Sequence, residues 1–294
     1  MKKLLFIPLL FFLGIVGGMA KDFPEGKINV EPVPPGGFLC SVVAAAAEPP
    51  VTPAKFTPLF NGKDFTGLYT WLRATGPEDP QKVFTVKDGV INVKGGEHRG
   101  VIVTKKSYKD YHVSVEYKWG KQTDGGKWVR NSGLLVHGTG ADGGAGRNAW
   151  MPSLEIQLAQ GCEGDLIVIR GKDGKGGSVK VDMATHVRTA ADKKTRWDSE
   201  GKKVKYSGRQ FWWKDHMPFF KELLDTRGDK DVASPKGGWT KVEAICRGDV
   251  VTVKINGVTV NQAVDVHPAH GKILLQNEGH EVYFRNFIIS PQRK

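Results

Sequence analysis

The chain has 294 residues, 39% hydrophobic and 10% aromatic, with 43 basic residues against 31 acidic ones for a net charge of +12. That supports one large β domain or two small domains, and one is favoured because all-β sandwiches often reach roughly 200 to 250 residues. The basic residues are mixed with acidic and polar ones and come with no basic helix or RNA-binding signature, so the charge reads as a solvated surface and not as a nucleic-acid interface.

Met1-Lys2-Lys3, an apolar run from Leu4 to Val16 and small residues from Gly17 to Ala20 form the pattern of a secretory signal with a cut after Ala20. The run is short for a membrane span, which needs about 20 residues, and a retained N-terminal anchor is the structural alternative. Residues 21 to 55 carry Pro-Val-Pro-Pro-Gly-Gly, four consecutive alanines and Glu-Pro-Pro-Val-Thr-Pro, a composition that reads as a tether. A single domain is expected over 56–294. Export to the periplasm or the cell surface follows from the signal.

From there strand signals come in series. Val83 to Val93 has apolar runs about the turn pair Asp88-Gly89, and Gly100 to Thr104 is a short buried strand. Tyr111 to Trp119 alternates, with Val113, Val115 and Tyr117 on one side and Ser114, Glu116 and Lys118 on the other. Ser132 to His137, Pro152 to Leu158 and Asp165 to Arg170 follow. Trp239 to Arg247, Val250 to Ile255 with the turn Asn256-Gly257, Lys272 to Gln276 and Val282 to Ile289 close the series. Many short strands and almost no helical periodicity predict an all-β fold, an antiparallel sandwich or jelly roll. Only Pro218 to Leu224 reads as helical. Residues 171–238 are polar but studded with aromatics, and read as a long, largely irregular insertion packed on the sandwich, its rings walling one end of a groove.

The three cysteines, Cys40, Cys162 and Cys246, make neither a metal-ligand spacing nor an even disulfide framework, though Cys162 and Cys246 would pair if they lay on neighbouring strands. No zinc motif, phosphate loop, dinucleotide fingerprint or nucleophile elbow is present. No cofactor is therefore expected, while a structural or catalytic divalent metal stays open.

The polar strand faces carry more capable groups. Glu155 and Gln157 alternate with Leu154, Ile156 and Leu158; His137 shares a face with Leu135; Gln276 ends Ile273-Leu-Leu-Gln. In one sheet, Glu116, Lys118, Asn131, His137, Glu155, Gln157 and Gln276 would form a floor of carboxylates, an imidazole, a lysine and amides. That mixture suits sugar hydroxyls, with Trp119 or Trp150 to stack on sugar rings. Glu and His are also the usual acid and base groups, and the pair Glu155 and His137 is expected to be catalytic. A solvated sheet face shows the same alternation.

The series resembles the bacterial 3-keto-disaccharide hydrolase domain family. The resemblance covers residues 56 to 290 and rests on Leu59 to Leu68, Val86 to Ile91, Asn131 to Leu134, Leu154 to Gln157, Gly238 to Glu243, Ile255 to Gly257, Gly271 to Gln276 and Phe284 to Asn286, in that order. It implies a concanavalin A-like jelly roll, usually exported, acting on glycosides oxidised at C3, with the family's Glu-x-Gln strand at Glu155 and Gln157. The sequence departs from the family where His137, Lys118 and Thr240 stand. The implied chemistry is removal of the C2 proton acidified by the ketone, loss of the glycosidic oxygen from C1, and hydration. Ordinary hydrolysis by a carboxylate pair such as Glu116 and Glu155 is the other enzymatic route. A non-catalytic carbohydrate-binding or adhesion module, and a basic surface for acidic polysaccharide, are the remaining alternatives.

Overall fold

The computed structural model describes residues 48–126, 129–146, 149–217, 225 and 227–292. The signal, most of the tether, Cys40 and the helix expected at 218–224 lie outside them. Ordered contacts begin before Phe56, since Val51 N donates to Ser107 O at 2.9 Å and Lys109 N to Val51 O at 3.0 Å.

Two antiparallel sheets form the domain. The smaller has six strands in the order Leu68–Leu72, Arg99–Thr104, Lys272–Glu278, Gly133–Gly138, Ser153–Gln157 and Leu166–Ile169. The larger, of eleven strands, is built around Val250–Ile255, Thr240–Arg247, Tyr111–Trp119 and Val282–Pro291. Alternation decides which side chains meet between them. Val113, Val115 and Tyr117 of the large sheet share one buried cluster with Leu134, Val136, Leu154, Ile156, Ile273 and Leu275 of the small one. Burying such side chains contributes roughly 1.5–3 kcal/mol each, and a one-residue register slip would expose them all. The expected turns hold the hairpins: Asp88-Gly89 and Asn256-Gly257 adopt positive φ at both positions, as a tight two-residue connection requires.

The insertion is largely irregular, as expected, but part of it joins the large sheet. Asp182–Thr189 adds to the large sheet beside Val258–His267 and is flanked by Thr195–Trp197 and Lys202–Lys205. The β-branched and apolar residues of Asp182–Thr189 make a paired strand out of a segment whose lysines and glycines read as loop. Its aromatic residues divide in role: Trp213 is in the core, while Phe211 and Trp212 stay half-buried. Cys162 and Cys246 are both buried, and among the described residues they are not joined in a disulfide.

Candidate functional site

The outward face of the small sheet holds the site. Alternation places Ser153, Glu155 and Gln157 on that face, with Gln276 and Glu278 next to them on Lys272–Glu278. Part of the face is roofed: Trp150 and Met151 pack over Val101, Val103, Leu135 and Leu274. Trp150, 1% exposed, is thus a cover for apolar side chains and offers no open ring to a sugar. Beside this roof lies a cavity of about 350 Å³, within the range of small-molecule sites. Arg99, Asn131, Gln157, Glu278 and His280 line it, together with Asp124, Cys162 and Gln210.

Two carboxyl groups dominate the electrostatics. Glu155 is 4% exposed; burial, then the neighbouring Glu278 charge, push its pKa up to about 8, against a smaller opposing pull from the Gln276 amide. Burial also raises Glu278, with Arg99 opposing it. Two carboxyls this close and this dry favour one shared proton over two charges. The ionised form is better supported on Glu278, which accepts a short hydrogen bond from Asn131 Nδ2 and has Arg99 Nη1 at 3.7 Å. His280 Nδ1 accepts from Asn131 N at 3.3 Å, which puts its proton on Nε2, 3.4 Å from Asp124. Burial lowers the His280 pKa, so it is neutral near pH 7.

Gln276 is 1% exposed; its amide faces Glu155, and its oxygen, like Asn131 Oδ1, has no hydrogen-bond partner. Such orphans cost about 1–3 kcal/mol each unless a ligand or water takes them. Their place beside Glu155 and Glu278 makes the amide oxygens ready acceptors for sugar hydroxyls.

The expected residues therefore separate. Glu155, Gln157, Gln276 and Asn131 come together, but Glu116, Lys118 and Trp119 do not join them, because Tyr111–Trp119 belongs to the large sheet. Glu116 is engaged by Arg285 Nε at 2.6 Å, Lys118 lies over the Trp239 ring at 4.9 Å, and Trp119 is packed on Tyr117. Nor does His137 share a face with Leu135 at the site. Its φ is +57°, the pairing with Lys272–Glu278 shifts register there, and its ring packs edge-on against Tyr111, 5.9 Å away. Burial holds its pKa down to about 4. Strict alternation fails at this bulge, which no residue type in the sequence announces.

Arg99, Glu278 and His280 went unread in the sequence. The signal for two of them was present: Glu278 continues the alternation Leu274, Gln276, and Arg99 that of Val103, Val101.

Among the described residues, Cys162, Asp165 and His216 alone bring three metal-ligand atoms within 4.8 Å of one another. The Asp165 carboxylate is already engaged there, accepting from Trp213 N at 2.7 Å and Gln210 Nε2 at 2.8 Å, with His216 Nδ1 at 2.9 Å. The group acts as a clamp that holds residues 210–216 against the sandwich.

In class, this is a β-sandwich with a buried acid–base cluster opening into a cavity on its smaller sheet. Residues 55–290 match the family described as the 3-keto-alpha-glucoside-1,2-lyase-like domain, and the chain belongs to that family. Membership makes it a carbohydrate-active protein. No curated protein matches it in sequence. Among solved structures it is similar to a Parabacteroides distasonis protein provisionally named a glycosyl hydrolase, at 21% identity and TM-score 0.47, covering 81% of this chain and 94% of that one. A second structure, from Bacillus subtilis and described as having a galectin-like fold, aligns at 11% identity and TM-score 0.43 over 82% of this chain and 97% of that one. A Bacillus licheniformis beta-glucanase aligns at 12% identity and TM-score 0.39, covering 81% and 97%. At this level of overlap the likenesses carry no functional argument.

Proposed function

We propose that the protein cleaves 3-keto-glycosides by elimination and hydration, with the carboxyl pair Glu155 and Glu278 as its proton-transfer machinery. The observation that carries this reading is the pair itself: one buried carboxyl kept protonated beside one supported as an anion, at a cavity lined by amide and guanidinium donors.

In the first step the Glu278 carboxylate removes the C2 proton. The C2–H electrons form the C1–C2 double bond as the C1–O glycosidic bond breaks, and the leaving oxygen takes the proton held on Glu155. Charge that develops on the C3 carbonyl oxygen is met by the Arg99 guanidinium and the Gln276 amide nitrogen, fixed donors of the kind that act through preorganisation, while Asn131 holds the Glu278 carboxylate. Water then adds across the new double bond. Export through the N-terminal segment is proposed on its sequence pattern.

The test is turnover of a 3-keto-glucoside beside its unoxidised parent. Only the ketone should react, and Arg99→Ala should lower kcat about a hundredfold, as loss of one such donor does elsewhere. Arg99→Lys should recover little, because an ammonium cannot reproduce the guanidinium fork. A folded protein that binds sugars but turns over neither substrate would make this a binding module.

A further inference from the structure

The cavity at the carboxyl pair shares a wall residue with a second one. Gln210 forms part of its wall and part of the wall of a second, larger cavity of about 580 Å³, where Lys193, Lys194, Arg209, Phe211 and Trp212 gather. This groove is built by the insertion. Between residues 171 and 217 there are twelve basic residues against six acidic ones, so half the net charge of the chain sits in this segment.

The turn that carries the two lysines is held: Lys193 N donates to Ala190 O and Ala190 N to Lys194 O, each at 2.9 Å. The nearby carboxylate, Asp192, is taken by Arg196 through two hydrogen bonds, at 3.0 and 2.6 Å. Lys193, Lys194 and Arg209 are exposed and make no salt bridge among the described residues, although Lys194 also acts on the Asp192 carboxylate. Phe211 and Trp212 lie half-buried between them, and Trp212 is fixed by a parallel stack on His216, 4.0 Å between centroids. A surplus of exposed cations over fixed aromatic surface fits a ligand with both ring faces and negative charge.

We propose that this groove binds the continuation of an anionic oligosaccharide, one bearing carboxylate or sulfate groups, whose reacting sugar sits at Glu155 and Glu278. The inference deepens the catalytic reading by naming the substrate class, and rests on it only for which sugar reacts. Gln210 stands at the junction, its amide held by Asp165, and marks where the chain of sugars passes from one cavity to the other.

Binding of unoxidised hexamers to the full chain, measured by titration calorimetry, tests the proposal without turnover. An oligogalacturonate or a sulfated oligosaccharide should bind about tenfold or more tighter than a neutral cello-oligosaccharide of equal length, and the margin should shrink as salt rises. The tighter of the two anionic ligands identifies the charged group. The double variant Lys193→Glu/Arg209→Glu should weaken the anionic ligand about tenfold or more, whereas Lys87→Glu/Lys105→Glu, exposed residues elsewhere on the surface, should change it less than about twofold. Equal affinity for the neutral hexamer, equal effects of the two double variants, or displacement of the sugar by an equally tight oligoribonucleotide would overturn it. Because none of these ligands is oxidised, failure here leaves the ketone chemistry standing, and failure of turnover leaves the groove standing.

Discussion

Glu155 and Gln276 approach each other over Gly133, the one residue between them that has no side chain. A Cβ at position 133 would lie 2.7 Å from Glu155 Oε1 and 2.9 Å from Leu135 Cδ1, closer than real Cβ atoms come, and a tight 3.0 Å from Gln276 Oε1. Gly133→Ala should therefore push the carboxyl and the amide apart. Overpacking of this kind costs about 1–3 kcal/mol, and kcat should fall more than stability alone explains. Urea denaturation and turnover on the same variant check it; unchanged turnover would show that the contact is not part of the site.

The carboxyl pair also sets a pH dependence. Glu155 has its pKa raised to about 8, against 4.5 for the ordinary side chain, so the folded state holds a proton that the unfolded state releases. Its contribution to stability is therefore lost as pH rises from about 4.5 to 8. Glu163, buried and likewise pushed up to about 8, titrates in the same window. The difference between the parent and Glu155→Gln isolates the first group: the variant should gain about 1–3 kcal/mol relative to the parent between pH 5 and 8. Catalysis should show the complementary sign, with parental activity declining on the alkaline side near pH 8 as the shared proton is lost. Glu155→Gln, which has no proton to give, should lose most of its kcat. A pH-independent stability difference would sink the assignment.

How far the sequence reached depends on what each strand does locally. Where a strand is regular, as at Leu154 to Leu158 or Leu274 to Glu278, period-two alternation fixes the face, and Glu155, Gln157 and Gln276 fall together. Two facts lie beyond that pattern. Pairing between distant strands decides which sheet a polar face belongs to, so Ser114, Glu116 and Lys118 alternate as cleanly as Glu155 yet look out from the other side of the sandwich. A single left-handed residue also inverts a face without a change of composition, as His137 does. The one long strand inside the irregular insertion is hidden from the sequence for a related reason. Asp182–Thr189 gains order by pairing with Val258–His267, some eighty residues away, and little of that is local.

The inversion at His137 has its own test. The imidazole is 1% exposed, and its ring leans on Tyr111 and not on the cavity. His137→Ala should destabilise the fold by about 1–3 kcal/mol through the lost packing, including the edge-to-face contact with Tyr111. Its kcat on the ketone should stay within about twofold of the parent at a temperature where both are folded. A large loss of kcat with native stability would return this histidine to the catalytic machinery.

Asp165 joins fold and site in one side chain. It is completely buried and holds Trp213 N, Gln210 Nε2 and His216 Nδ1, all from the segment that closes the cavity wall. Burial raises its pKa while these partners, His216 first, pull it back. Removing the acceptor strips the Trp213 N–H and the Gln210 amide of their partner and takes the carboxylate from beside the buried His216, and breaking a buried pair in this way costs about 3–5 kcal/mol. Asp165→Ala should lose most of that in urea denaturation and should admit protease between residues 190 and 217. Asp165→Asn, which still accepts one hydrogen bond, should lose less and should fold at room temperature. In that variant Gln210 is no longer held, so KM for the ketone should rise with kcat little changed, the mark of a residue that positions the wall and leaves the chemistry to Glu155 and Glu278. A fall in kcat at constant KM would place Asp165 nearer the reacting atoms than its hydrogen bonds do.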